Sequence, residues 1–525
     1  MVSNEVFVGA GAMATLIPEV DMFFNECTVS GAVATLDTSV DDEIKLVPNL
    51  YVGCVAKIDT NASAADETAE QYLVIKSNTA NTITFNENID QTVSGPVDVT
   101  ILSFGAPCVG PMDGSSNATL LSDNWLGLVN TLTPPSVEVE MKQMNLAVSG
   151  GRNLDYQFKG AETVSGGSMD ISLNNGSWLY YALGKITAMS GGESTTDLVS
   201  GSDSDIGTHK GFFIDESAKS IVRGITGNLY PPMSDGDGNP EHRHDDTGIG
   251  DNFHQWDGTP ITYTFGEADG DILPSFALEV LYSKTGRTSS TTLDSLDPHE
   301  NMYSRIFTGC QVNTLTLNFE EGQELKTSLD LVTRRAFDSP DGYLPTRGRT
   351  GVAALSASAG LANYSATATD NYPFLFSDGA ITLFGQTYAR VKSGSLTINN
   401  NITPQRFIGN YSREIVSAHL PAQRTYELSF TMLITDTQVW DELRNANEST
   451  GDIVLTFEKD SSTNNETESI TITLSDYLIN NVTVPFPEDK GPIEVEVTAT
   501  ARTLGTTTYT GKWGIVTIGG VASEN

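Results

Sequence analysis

Basic residues are scarce in this chain. Of 525 residues only 29 are Lys or Arg, against 67 Asp or Glu, for a formal net charge of -38. Binding nucleic acid through its phosphates needs clustered Lys and Arg, so the composition argues against that function. No basic residue precedes Lys45, and the longest early apolar run, 6–17, is diluted by Gly and Ala. Neither a signal peptide nor a spanning helix fits there; the expectation is a chain that begins near Met1 and folds in a cytoplasm. Cysteine is equally sparse. Cys27, Cys54, Cys108 and Cys310 lie far apart, with no CxxC pair and no His at ligand spacing. Neither a disulfide scaffold nor a zinc site is signalled, and the four read as buried thiols. There is no Gly-x-Ser-x-Gly elbow, and Gly150-Gly151 and Gly166-Gly167 are hairpin-type turns without the Lys-Ser/Thr of a phosphate loop. Paired carboxylates for glycoside hydrolysis stay open, since an acidic chain offers many pairs. No motif calls for an enzyme.

What is present is short alternation from end to end. Val137 to Met141, Leu315 to Phe319 and Ile470 to Leu474 each put apolar residues on one face and polar ones on the other, the pattern of half-buried strands. The fold class is mainly β, with antiparallel sheets. Two stretches read as short helices. Ser177 to Leu183 has Asn174 or Asn175 as cap and Gly184 as stop, and Thr437 to Asn447 has Thr435 and Gln438 at capping-box spacing. Trp178 and Trp440 on these helices are expected to pack into the core rather than to bind a ligand.

Each helix follows an alternating strand, Met169 to Leu173 in one case and Phe430 to Ile434 in the other. Downstream, Ile261 to Phe265 matches Ile453 to Phe457, and Phe276 to Val280 matches Ile470 to Leu474. Val312 to Phe319 then matches Ile479 to Phe486, and Leu325 to Leu331 matches Ile493 to Ala499. This order reads as a tandem duplication. The expected division is an N-terminal arm at 1–26, a small β-barrel or sandwich module at 27–115, and a first repeat at 116–337 with an insertion at 187–258. A linker at 338–375, a second repeat at 376–505 and a C-terminal tail at 506–525 follow.

The insertion holds a string of polar groups. Asp235, Asp237 and Asn239 follow the opening of a calcium loop, with Asp246 at the twelfth position. Pro240 replaces the usual Gly at position six and no helices flank it, so the string reads as a solvated turn or a loose calcium site rather than an EF-hand. His242, His244 and His254 lack the partners a transition-metal site needs. No cofactor is implied.

The duplicated sheet with one short helix, and strands such as Gly309 to Leu317 and Ser393 to Asn401, resembles the major tail tube proteins of long, non-contractile tailed viruses. The stretch from Val137 to Gly184, where Gly166-Gly167-Ser168-Met169 leads into Trp178 to Gly184, is similar to that family's strand and helix. The resemblance covers about Thr133 to Thr503 and implies two tandem tail-tube-type β-sandwich or barrel domains; the small N-terminal β-barrel module, read from its strand spacing, lies outside it. It further implies a structural virion protein, not an enzyme, assembled in the host cytoplasm into the virion tail. Such chains form stacked rings, here trimers with pseudo-sixfold symmetry, whose hollow tube lets viral DNA leave. The implied partners are sister chains, a tape-measure protein and tail terminator and tip proteins, with no membrane. An acidic lumen would repel phosphates, and Val137 to Met141, Leu325 to Leu331 and Ile493 to Val497 are its candidate strands. The barrel would decorate the outside. A cell-surface S-layer or adhesin-type protein is the alternative, a glycan-acting enzyme the third reading, and a capsid-decorating protein the nearest relative of the first.

Overall fold

The computed structural model describes residues 7–19, 22–36, 46–59, 70–89, 97–107, 109–110, 119–120, 128–146, 153–174, 176–190, 261–267, 273–284, 302–337, 373–383, 386–388, 390–407, 416–433, 438–444, 451–460, 467–484 and 491–511, with four short strand segments between 212 and 241. Alternation has become strand nearly everywhere. In Glu494–Leu504, Val495, Val497, Ala499 and Ala501 are buried while the residues between them face outward. The two short helices, Ser177–Leu183 and Gln438–Arg444, lie where the sequence places them.

One ladder runs through Leu128–Thr133, Ser168–Ser172, Lys326–Val332 and the C-terminal part of the 19-residue strand Met302–Glu320. A second repeats that order with Val391–Asn399, Thr425–Leu433, Glu494–Leu504 and the C-terminal part of Thr467–Thr483. The N-terminal part of each long strand enters another ladder. In the first half its members are Phe7–Pro18, Phe276–Lys284, the long strand and Arg335–Phe337. In the second they are Gly379–Leu383, Ile453–Asp460, the long strand and Thr507–Gly511. Leu16, Phe276, Leu278, Phe307, Leu315 and Leu329 fill the space between the ladders of the first half. Burial of these side chains supplies the main stabilisation.

Three of the sequence matches occupy the same ladder positions: those at Met169, Val312 and Leu325. Two do not. The hairpin of Gly184–Ser190 and Ile261–Glu267 has no counterpart among the described residues of the second half, so Ile261 to Phe265 is not the equivalent of Ile453 to Phe457. Phe276–Lys284 instead holds the position of Ile453–Asp460 beside the long strand. The inserted hairpin alternates too, and alternation does not distinguish one strand from another. That hairpin pairs with Thr507–Gly511, so part of the stretch read as a C-terminal tail is a strand between both halves.

The first helix ends on Gly184, whose φ of 104° and N–H bond to Tyr180 O close it as expected. Its start differs: Gly176 caps it without a side-chain bond. A Cβ at Gly176 would lie 2.5 Å from the Tyr509 ring, so close packing rules out a larger cap. Trp178 is buried against Phe276 and Tyr181, while Trp440 is only half-buried.

Met22–Ser30, Val33–Thr35, Thr82–Phe85, Glu70–Asn78, Val55–Asp59 and Val97–Ile101 close into a barrel, which removes sheet edges. Phe7–Pro18, within the stretch read as an arm, belongs to the first half, so the barrel is spliced between that strand and Leu128–Thr133. Among the described residues, the corresponding connection in the second half holds the short strand Gln386–Tyr388. Successive strand residues face opposite sides. Leu16, Phe276 and Phe307 accordingly point between the ladders, while Ile17, Ala277 and Ile306 point into the barrel's core. The barrel therefore packs on the face of the outer ladder turned away from the inner one.

Buried polar groups lock that contact. Arg334 Nη2 donates to Gly53 O at 2.6 Å and Nε to Val416 O at 3.2 Å, and the guanidinium lies 5.4 Å from the Phe104 ring. Glu19 accepts from Gly105 N at 2.9 Å, Gly309 N at 2.8 Å and Ser275 Oγ. Burial raises the Glu19 carboxyl to about 7, against the opposing pull of those three bonds and Arg334. A carboxyl whose folded pKa lies above its unfolded one contributes stability at low pH that is lost as pH rises through the folded value. The wild type should therefore lose about 3 kcal/mol relative to Glu19→Gln between pH 4.5 and 8, read by denaturant unfolding of both proteins across that range. Parallel profiles would refute the assignment.

Candidate functional site

The inner ladders of the two halves join into one sheet of eight strands. The joint is an antiparallel ladder from Thr314–Glu320 to Ser393–Asn399, pairing Thr316 with Thr397 and Phe319 with Gly394. One face of this sheet packs on the core; the other is open and polar. A row straight across that face runs Thr131, Asp170, Ser328, Thr316, Thr397, Glu427 and Thr500 and ends on the exposed Leu478 of the eighth strand. Ser328 Oγ and Thr131 Oγ1 each donate to Asp170 at 2.6 Å, which holds its carboxyl below the usual range.

The face carries Asp170, Glu320, Asp330, Glu427, Glu494 and Glu496 among Ser, Thr and Asn. Its described cations are already engaged. Lys326 lies 3.4 Å from Glu324, Lys392 2.5 Å from Glu494 and Arg502 2.6 Å from Asp476. A surface of hydroxyls and carboxylates with neutralised cations repels a polyanion.

The two halves are staggered within this sheet. Each first strand carries a register shift, after Val129 and after Val391, and each long strand another, after Val312 and after Ile479. Aligned on these shifts, Thr131 corresponds to Ser393, yet the row straight across from Thr131 arrives at Thr397. The stagger is thus four residues over four strands. With about 3.4 Å per residue and 4.8 Å per strand it gives a tilt of about 35°, within the range of closed barrels. Among the described residues, Leu128–Thr133 at one end of the sheet pairs in register with Ser168–Ser172 alone, and 478–483 at the other end with Glu494–Leu504 alone.

The sequence-derived sites fare unevenly. Asp235, Asp237, Asn239 and Asp246, and with them His242, His244 and His254, lie outside the described residues. No three His, Cys, Asp or Glu come together to hold a metal ion among the described residues. Cys27, Cys54 and Cys310 are buried free thiols. Leu325 to Leu331 and Ile493 to Val497 contribute to the polar-faced sheet. Val137 to Met141 does not; it pairs with 159–164 in a projecting hairpin. Asp170 and Glu427 were not singled out from sequence, although each is a single acid within an alternating strand.

The phage tail tube protein family matches residues 138–501, most of the chain. The chain belongs to that family. It is a structural tail tube protein of the virion, and none of its described helices is long and apolar enough to cross a membrane. No curated protein matches it. Among solved structures, a FadL homologue from Pseudomonas aeruginosa aligns over 96% of this chain and 90% of its own at 8% identity, with a TM-score of 0.08, which carries no argument about fold or function.

In this tail tube protein the joint between halves tolerates little. A Cβ at Gly394 would lie 2.4 Å from the Phe319 ring and 2.8 Å from Ser429 O. Gly394→Ala should destabilise the chain by about 1–3 kcal/mol, seen as a lower melting temperature. An unchanged melting temperature would show that the joint is loosely packed.

Proposed function

We propose that the two halves are tandem tube domains and that chains join side by side as the halves do, closing three chains into a ring that stacks into a siphovirus-like tail tube. The observation that supports this reading is the in-chain joint. It pairs the last strand of one four-strand set with the first strand of the next, and a head-to-tail contact of this kind repeats until a ring closes. Open sheet edges are a liability that closure removes. Three chains of eight strands, at about 4.8 Å each and tilted about 35°, enclose roughly 45 Å between backbones. Subtracting a side-chain layer of about 5 Å on each side, half the spacing of stacked sheets, leaves room for one hydrated DNA duplex. Six chains would double the diameter.

The polar face would line this bore, and its carboxylates keep DNA central and unbound during ejection. The barrel, packed on the far side of the outer ladder, decorates the exterior. Three barrels per ring follow, because among the described residues the first half alone carries one. Sister chains, a tape-measure protein and terminator and tip proteins are the partners of this reading, which includes assembly in the host cytoplasm and involves no catalysis.

Translating the in-chain joint by the stagger places Thr483 of one chain diagonally across from Thr133 of the next, both on the polar face. Thr133→Cys combined with Thr483→Cys, treated with a short bis-maleimide, should yield covalent species that stop at three chains on a denaturing gel. A ladder reaching six would replace the trimer with a hexamer, and monomers alone from assembled tubes would refute edge-to-edge closure.

A further inference from the structure

Away from the polar-faced sheet, one group of chemically able side chains is buried where the two halves meet. Lys459, near the end of Ile453–Asp460, and Glu468, near the start of Thr467–Thr483, are register partners in the outer ladder of the second half and are only 4% and 5% exposed. Lys459 Nζ lies 2.5 Å from Glu468 Oε2 and donates at 2.9 Å to the main-chain O of Asn174, 285 residues away in the sequence. Asn174 stands just before the first helix of the first half and is itself 5% exposed, so its carboxamide is out of solvent as well.

The surroundings are aromatic. The Phe374 ring centroid is 4.8 Å from Lys459 Nζ. A Cβ at Gly511 would lie 2.7 Å from the Tyr509 hydroxyl and 3.1 Å from Glu468 Cγ, so Thr507–Gly511 closes directly over the carboxylate. Burial first, and the Glu468 charge second, push the Tyr509 hydroxyl well above its ordinary value, which keeps it a neutral phenol. An ion pair enclosed in this way is costly, because mutual attraction repays the desolvation of two charges only in part. Passing one proton from Nζ to the carboxylate removes both charges and leaves a desolvated amine, which is a nucleophile.

We propose that Lys459 and Asn174 join in an intramolecular isopeptide bond, with Glu468 as the proton shuttle. The amine already sits on the main chain of Asn174, and side-chain rotations close the remaining gap to the about 3–3.5 Å that attack on Cγ requires. Nζ gives a proton to Glu468, and its lone pair forms the new bond to Cγ. The bond from Cγ to Nδ2 breaks; Glu468 delivers its proton to Nδ2, takes the second proton of the amine, and ammonia leaves. The ion pair is neutral overall before the step and every product is neutral after it, so charge balances and no oxidant or cofactor is needed. The bond ties the helix-bearing end of the first half to the outer ladder of the second, independently of the joint in the inner sheet and of any sister chain.

Mass spectrometry of the intact, reduced and denatured full-length chain tests the assignment. The wild type should be about 17 Da lighter than its sequence, the mass of ammonia, and trypsin should release a branched peptide holding both Asn174 and Lys459. Asn174→Asp should also cross-link, losing about 18 Da as water, whereas Lys459→Arg and Glu468→Gln should keep their full masses. A wild type at full mass, or the same loss persisting in Lys459→Arg, would overturn the cross-link. Undiminished cross-linking in Glu468→Gln would overturn the shuttle. The wild-type mass decides the first point whether or not the variants fold.

Discussion

The backbone ladder between Thr314–Glu320 and Ser393–Asn399 is the contact on which the rest depends. It fuses two four-strand ladders into one sheet, and its stagger fixes how that sheet tilts. Backbone pairing is indifferent to whether the partner strand belongs to the same chain, so the internal joint can serve as the template for the proposed contact between chains. Close packing of Phe319 on Gly394 holds the joint to one geometry. From that geometry come both the tilt of about 35° and the bore that three chains would enclose.

Much of the inner sheet was legible in sequence. The matches at Met169, Val312 and Leu325 have their counterparts at the same ladder positions, because a strand before a helix and a long strand after it impose a recognisable order. Where alternation was the only signal, the reading slipped. Ile261 to Phe265 belongs to an inserted hairpin, and Val137 to Met141 to a projecting one; nothing in a period of two says which sheet a strand joins. The place of Phe7–Pro18 was also hidden, since its partner Phe276–Lys284 lies more than two hundred residues away. The stagger was beyond reach, being a property of register rather than of composition.

The barrel illustrates how a tube domain takes on an additional module without losing its sheet. Its splice point is a connection between two strands that stay in place, and the second half fills the same connection with Gln386–Tyr388. Rigidity comes from buried polar groups that serve several parts at once. Arg334 reaches the barrel at Gly53 and the second-half hairpin at Val416, and Glu19 ties the barrel's Gly105 to Gly309 of the first long strand. His419, beside Gln311 and Phe104, is pushed by burial and by Arg334 down to about 4, so it stays neutral and adds no charge to the knot at neutral pH. Groups shared in this way make the barrel part of the body rather than a tethered bead.

A cryo-electron reconstruction of assembled tubes bears most directly on the account. It should show a continuous wall around the bore, eight consecutive strands from each of three chains tilted about 35°, with Asp170 and Glu427 facing the channel. A bore lined by other strands, or by chains that meet without a shared backbone ladder, would contradict it.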